Sequence, residues 1–202
     1  MSTSATRAAH RPSRRHAVVT AAMELFAAQP PDTVTVADIA DRAGMTSAAV
    51  YYHFASKDAI LYDGAKEFGD ALVGHVGEVV AELSQGGNLG EVVIDVLQWI
   101  DRHAAPGSVY FISSVGTNSD VEVLRRQHRT ELIDHLGKAA RKARGKLTPA
   151  EAAVIGVGLL SLLETSAASW LTKDATYQKL GHKQFLAEVS KLSEKVAGNG
   201  AA

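Results

Sequence analysis

From Val18 to Phe54 the apolar positions come in short groups spaced three and four apart, with turn residues between them, and the pattern predicts three compact helices. Val18, Ala22, Leu25 and Phe26 form one face of a first helix, which Pro12 suits at its first turn and Pro30-Pro31 stops. Val36, Ile39 and Val50 close a second pair of helices across a tight turn, the helix-turn-helix arrangement. Ala40 is small where the backbones must approach, and Gly44 can take the left-handed conformation that ends the first of the pair. Thr35 with Asp38 three residues on reads as a capping box, and Thr46 caps a second helix running to about Phe54.

Past Ser56, Leu61, Ala65, Phe68, Leu72, Val76, Val79 and Leu83 repeat in steps of three and four, predicting one long helix that ends at Gly86-Gly87-Asn88. A fifth helix is expected from Asn88 to Ala104, broken by Pro106-Gly107. Residues Val109 to Val115 fit a helix or a strand equally well, and the type of 107–118 stays open. Asp120 to Arg144 is a basic-ended helix, and Thr148-Pro149-Ala150-Glu151 is another capping box. The Ala152 to Leu171 run behind it is apolar or small nearly all round. Glu164 interrupts it short of the roughly twenty residues a bilayer needs, so a packed helix is expected rather than a membrane span. A last amphipathic helix, about Gln184 to Val196, carries Phe185, Val189, Leu192 and Val196. The fold class expected is all-α.

The quoted residues carry a resemblance. A-D-R-A-G-M-T-S-A-A-V-Y-Y-H-F-A-S-K-D-A-I, with V-V-T-A-A-M-E-L-F ahead of it, resembles the DNA-binding domain of the TetR (tetracycline-repressor-like) family of bacterial transcription regulators. The likeness covers roughly the first third of the chain, and Y-Y-H-F followed by S-K makes it more specific than a bare helix-turn-helix. Residues 1–11, Ser, Thr, Ala and Arg without periodicity, read as a disordered basic arm, and the resemblance implies a DNA-binding domain at 12–56 and a ligand-binding and dimerisation domain at 57–202. It further implies a homodimeric regulator, a repressor rather than an activator because blocking a promoter needs no further surface. Tyr51, Tyr52, His53 and Lys57 would then meet phosphates, while Thr33 and the helix starts capped by Thr35 and Thr46 add further contacts. Ser47, Ala48 and Ala49 would face base edges, offering one hydroxyl and methyl groups for a thymine methyl. In the family a lysine often stands at Ser47, a glycine at Ala48 and an arginine at Tyr52, so base specificity does not carry over.

Charge changes where the nucleic-acid affinity must come from. The 202-residue chain has a formal net charge of -1, so binding must rest on local charge. Arg11, Arg14 and Arg15 precede the first acidic residue, Glu24, and suit a phosphate strand or a narrow minor groove. The acid-free start has transit-peptide composition but runs straight into the first helix, and absent cysteine is compatible with a reducing cytoplasm.

For the larger domain the resemblance implies a small effector among the middle helices that alters the spacing of two reading heads. Trp99, His103, Tyr110, Phe111, His128, Glu164 and Trp170 are polar or aromatic groups on otherwise apolar faces, a lining that favours a hydrophobic or amphipathic effector. Gly156, Leu160, Leu163, Phe185, Val189, Leu192 and Val196 would form a four-helix interface with a second copy, or alternatively complete one subunit's own core. Two rivals stand beside the regulator: a sequence-indifferent architectural DNA binder, and a helical enzyme with metal on His128, Glu131 and His135. The latter spacing is no established ligand pattern, and neither a Gly-rich phosphate loop nor an activated-serine motif occurs, so no cofactor, no metal and no catalysis are expected.

Overall fold

A computed structural model describes residues 13–198, and the regular structure among them is helical throughout. The arm expected at 1–11, with Arg11, lies outside the described residues. Three short helices form the first body: α1 (Arg14–Ala28), α2 (Val36–Arg42) and α3 (Ser47–His53). Ser13 caps α1 by accepting the His16 N–H, and Thr35 caps α2 in a reciprocal box with Asp38. Those hydrogen bonds from Thr35 hold the Asp38 carboxyl below its ordinary range. At the other end of α2, Gly44 at φ 65° lets its own N–H reach the Asp41 carbonyl and the Met45 N–H reach Ala40, closing a Schellman motif. Phe26, Ile39 and Val50 are fully buried between the three helices, joined by Val34, which the periodicity does not single out.

The second body is built on α4 (Lys57–Glu82), 26 residues long and capped by Ser56. Leu61, Ala65, Phe68, Leu72 and Val76 are buried as the repeat predicts. Near the C-terminus Val80 takes the inward place that the pattern assigned to Val79 and Leu83, both half-buried. Then come α5 (Leu89–Arg102), α6 (Ala104–Ser108), a π-helical turn at Val109–Ser113, α7 (Ser119–Arg144), α8 (Pro149–Thr172), α9 (Ala175–Leu180) and α10 (His182–Val196).

Pro106-Gly107 does not break α5. The break falls at His103, φ -116° and ψ 39°, and Pro106 lies in the first turn of α6, where a helix requires no N–H from it. The open segment resolves as a π-turn closed by the Ser114 N–H on the Val109 carbonyl. A strand there would need a partner, and the neighbours are all helices.

The interface residues expected on α8 and α10 mostly turn inward. Leu160 and Leu163 are 1% exposed, and Phe185 and Val189 are 6% exposed, within a single chain. Gly156 faces α7 so closely that a Cβ there would run into the Ile133 carbonyl oxygen, with the Gly137 N at 3.1 Å. Val196 packs against Gly158 in the same chain, leaving Leu192 as the member of that set on the surface. The physical reason is that α8 is apolar around most of its circumference, so periodicity cannot say which side faces its own core. What α8 leaves outward is a second stripe, with Val154 72% and Val157 43% exposed.

Replacing Gly156 by alanine sets helix propensity, worth about 1 kcal/mol in favour of alanine, against overpacking on a backbone carbonyl that cannot rotate away. The clash is expected to win by about 1–2 kcal/mol. Urea unfolding of Gly156→Ala checks this, and an unchanged or raised midpoint would mean that α7 and α8 can separate freely.

Candidate functional site

The exposed surface of the first body centres on α3. Its N-cap Thr46 accepts the Ala49 N–H, and Val50 and Phe54 anchor the helix underneath. The opposite side therefore points out: Ala48 is exposed, Ser47 and Ala49 are half-buried, and Tyr51 and Tyr52 stand 56% and 86% exposed. Tyr52 lies edge-on to the His53 ring at 5.2 Å. Thr33 and Thr35 are exposed too, with the Thr33 hydroxyl on the Pro30 carbonyl. Two large amphipathic rings exposed on the last turn of a short helix whose start is capped suit phosphate and sugar contacts.

Two basic residues behave otherwise than expected. Arg15 turns back onto α4, paired with Asp63 and lying 4.5 Å over the Phe54 ring, which leaves Arg14, at the start of α1, as the described member of that arginine set able to reach outward. Lys57 donates its amine to the backbone carbonyls of Asp32 at 3.2 Å and Val34 at 2.8 Å. It fastens the α1–α2 loop to the head of α4 rather than standing clear for a phosphate. Neither contact is legible locally, because each joins residues more than twenty positions apart. Arg42, paired with Glu24 at 2.7 Å, is a similar strap between α2 and α1.

The residues expected to line an effector site divide among separate places. Trp99 and His103 stack at 4.1 Å beside Phe68 and line a cavity of about 290 Å³ between α1, α4, α5 and α6. Tyr110, Phe111 and Glu164 border another, about 260 Å³, together with Arg125, Arg126 and Arg129. Trp170 belongs to neither: its indole N–H donates to Asp101 at 2.7 Å, and its ring packs on His182 and Phe185, tying α8 to α5 and α10.

A polar chain, buried at Tyr110 and His128 and opening to the surface at Asp70, links the π-turn to α4. His128 is 3% exposed, with one ring nitrogen 3.0 Å from the Tyr110 hydroxyl and the other 3.1 Å from Asp70, which also pairs with Lys66. Partial burial of Asp70 opposes its charge, but Lys66 and His128 outweigh that and hold the carboxyl below its ordinary range. Burial pushes the Tyr110 phenol well above its ordinary value, so it remains a neutral hydroxyl. Arg125, 8% exposed, donates to the Tyr110 carbonyl at 2.9 Å and pairs with Glu122 and Ser114, satisfying carbonyls that the π-turn leaves open. With both ring nitrogens of His128 engaged and Glu131 on the surface, the drawn metal site with His135 is not assembled. No cluster of three potential ligands occurs among the described residues.

Against known proteins, residues 18–62 match the family model described as bacterial regulatory proteins, tetR family. The HTH-type transcriptional repressor KstR2 of Rhodococcus jostii strain RHA1 is 34% identical over 98 residues, which is 48% of this chain and 48% of that one. The match thus spans about half the length of that curated relative. Among solved structures, the fatty acid degradation regulator FadR from Bacillus halodurans superposes with a TM-score of 0.74 at 14% identity, over 95% of this chain and 98% of its own. FadR from Bacillus subtilis, in complex with stearoyl-CoA, gives 0.72 at 15% identity over 92% and 99%. At such identities the likeness is one of fold, and it runs through both bodies.

Removing the hydroxyl in Tyr110→Phe leaves a buried His128 nitrogen without its partner. The expected loss is about 1–3 kcal/mol in urea unfolding. A loss below about 0.5 kcal/mol would mean that the ring finds water or another partner.

Proposed function

We propose that this chain, a member of the tetR family of bacterial regulatory proteins through its residues 18–62, is a ligand-responsive transcriptional repressor that binds a palindromic operator as a cytoplasmic homodimer. The observation that carries this reading is the outward face of α3, where Tyr51 and Tyr52 stand exposed on a helix whose start is capped by Thr46. With α3 in the major groove, Ser47 and Ala48 meet base edges while the tyrosines, Thr33 and the capped starts of α2 and α3 hold phosphates. The family resemblance of the first third, and repressors among the relatives, support the regulator over an enzyme.

A homodimer places two such faces on successive turns of the duplex. The surface available for pairing is the outer stripe of α8, Val154 and Val157 with exposed small residues around them, next to Leu192 of α10. An exposed apolar stripe on a helix already packed on its other side suits a second copy. The effector belongs among the middle helices. That a structural relative is complexed with stearoyl-CoA supports a hydrophobic or amphipathic molecule here as well. Its effect would travel through α4, which reaches from the larger body to the loop behind the reading head.

Selection of bound duplexes from a random pool at about physiological salt should enrich a palindrome bound on the order of a thousandfold more tightly than scrambled DNA. Enrichment of no sequence would move the architectural reading ahead. In Tyr52→Ala, affinity for the selected duplex and for scrambled DNA should fall by a similar factor, about tenfold, with thermal stability within about 0.5 kcal/mol of the parent. For the interface, Val154→Asp is expected to shift sedimentation from dimer to monomer at micromolar protein. A dimer that persists would place the contact elsewhere.

A further inference from the structure

We propose that the cavity between α1, α4, α5 and α6 binds a small hydrophobic cation, an amine carried on an aromatic or alicyclic body. The inference concerns the chemical class of the effector, and rests on the repressor reading only for its consequence at DNA.

The walls are apolar: Val19 and Met23 from α1, Phe68 from α4, Trp99 from α5 and Pro106 from α6. A volume of about 290 Å³ admits a two-ring body. Its polar lining is the carboxylates of Glu24 and Glu67, the Thr20 hydroxyl and the imidazoles of His16 and His103. His103 places Nδ1 2.8 Å from the Trp99 carbonyl, and since a carbonyl only accepts, Nδ1 carries the proton and Nε2 of the neutral ring is left as a lone pair. The Thr20 hydroxyl donates away, to the His16 carbonyl. Glu24 is already held by Arg42. Glu67 is not held by any arginine or lysine among the described residues. Its ionic neighbour is His16 at 3.5 Å, an ion pair only when that ring is protonated. No arginine or lysine is among the residues lining the cavity. An apolar chamber with a carboxylate and a lone pair at its rim complements an ammonium group and disfavours an anion. Because one wall is α1 itself, an occupant touches the reading head and the long helix together, and its binding is linked to DNA binding.

The test is calorimetry on the full chain with three isosteric probes: 1-naphthylmethylammonium, neutral 1-naphthylmethanol and anionic 1-naphthoate. The ammonium should bind on the order of tenfold more tightly than the alcohol, and the naphthoate more weakly than either. Glu67→Gln should reduce the preference for the ammonium to within about twofold, while His16→Ala, which frees the same carboxylate, keeps or increases it. Equal binding of the three probes, or a preference unchanged in Glu67→Gln, overturns the proposal. So does tightest binding of the naphthoate, which would point to the cavity beside Arg126 instead. Titrating the selected duplex in parallel separates the two readings. Specific DNA binding without cation preference sinks this inference alone, whereas cation preference without sequence-specific DNA binding sinks the repressor reading and leaves the cavity assignment standing.

Discussion

Both ends of α4 are tied down by lysine amines, its start to the first body and its end to α7. At its start Lys57 reaches back to the carbonyls of Asp32 and Val34. At its end Lys142 of α7 donates to Val80 at 2.8 Å and Ala81 at 2.9 Å, covering carbonyls that a helix terminus leaves open. The 26-residue helix runs about 39 Å as a single rod. Neither end of the rod can slip without breaking charge-assisted hydrogen bonds.

The larger body contains more polar chemistry at its centre than its apolar helices suggest, and the π-turn explains part of it. A π-helical segment leaves carbonyls outside the ordinary ladder, and a buried carbonyl needs a donor. Arg125 supplies one, at the cost of desolvating a guanidinium that then needs Glu122 beside it. Tyr110, brought inward on the same turn, meets His128, and His128 meets Asp70 on α4. The result is a chain of hydrogen bonds from the π-turn through α7 to the long helix. Its members hold one another in place, since any one removed leaves a buried neighbour unsatisfied.

The reading head shows the opposite economy. Its core is aliphatic and aromatic, its helix starts are capped by hydroxyls, and its outward face is left to tyrosines and methyl groups. In the proposed complex such a face would suit backbone contacts more than base contacts, and sequence preference would rest largely on the shape of the duplex and on the pairing of two heads.

What the sequence alone determined is what depends on neighbours along the chain. The caps at Thr35, Thr46 and Thr148, the left-handed turn at Gly44 and most of the inward faces of α1 and α4 were legible, because each follows from residues within a turn or two of one another. Tertiary structure decided what depends on distant partners. Arg15 and Lys57 read as free cations until Asp63 and the Asp32 and Val34 carbonyls are brought beside them. The expected effector residues separate into two cavities, a structural tryptophan and a buried histidine only when the helices are stacked. For α8 the reason is plainest: a helix apolar on nearly every side carries no periodic signal of which face is inside. The burial of Leu160 and Leu163 and the close approach of Gly156 to the α7 backbone show that these residues complete the chain's own core, the alternative that the pattern left open.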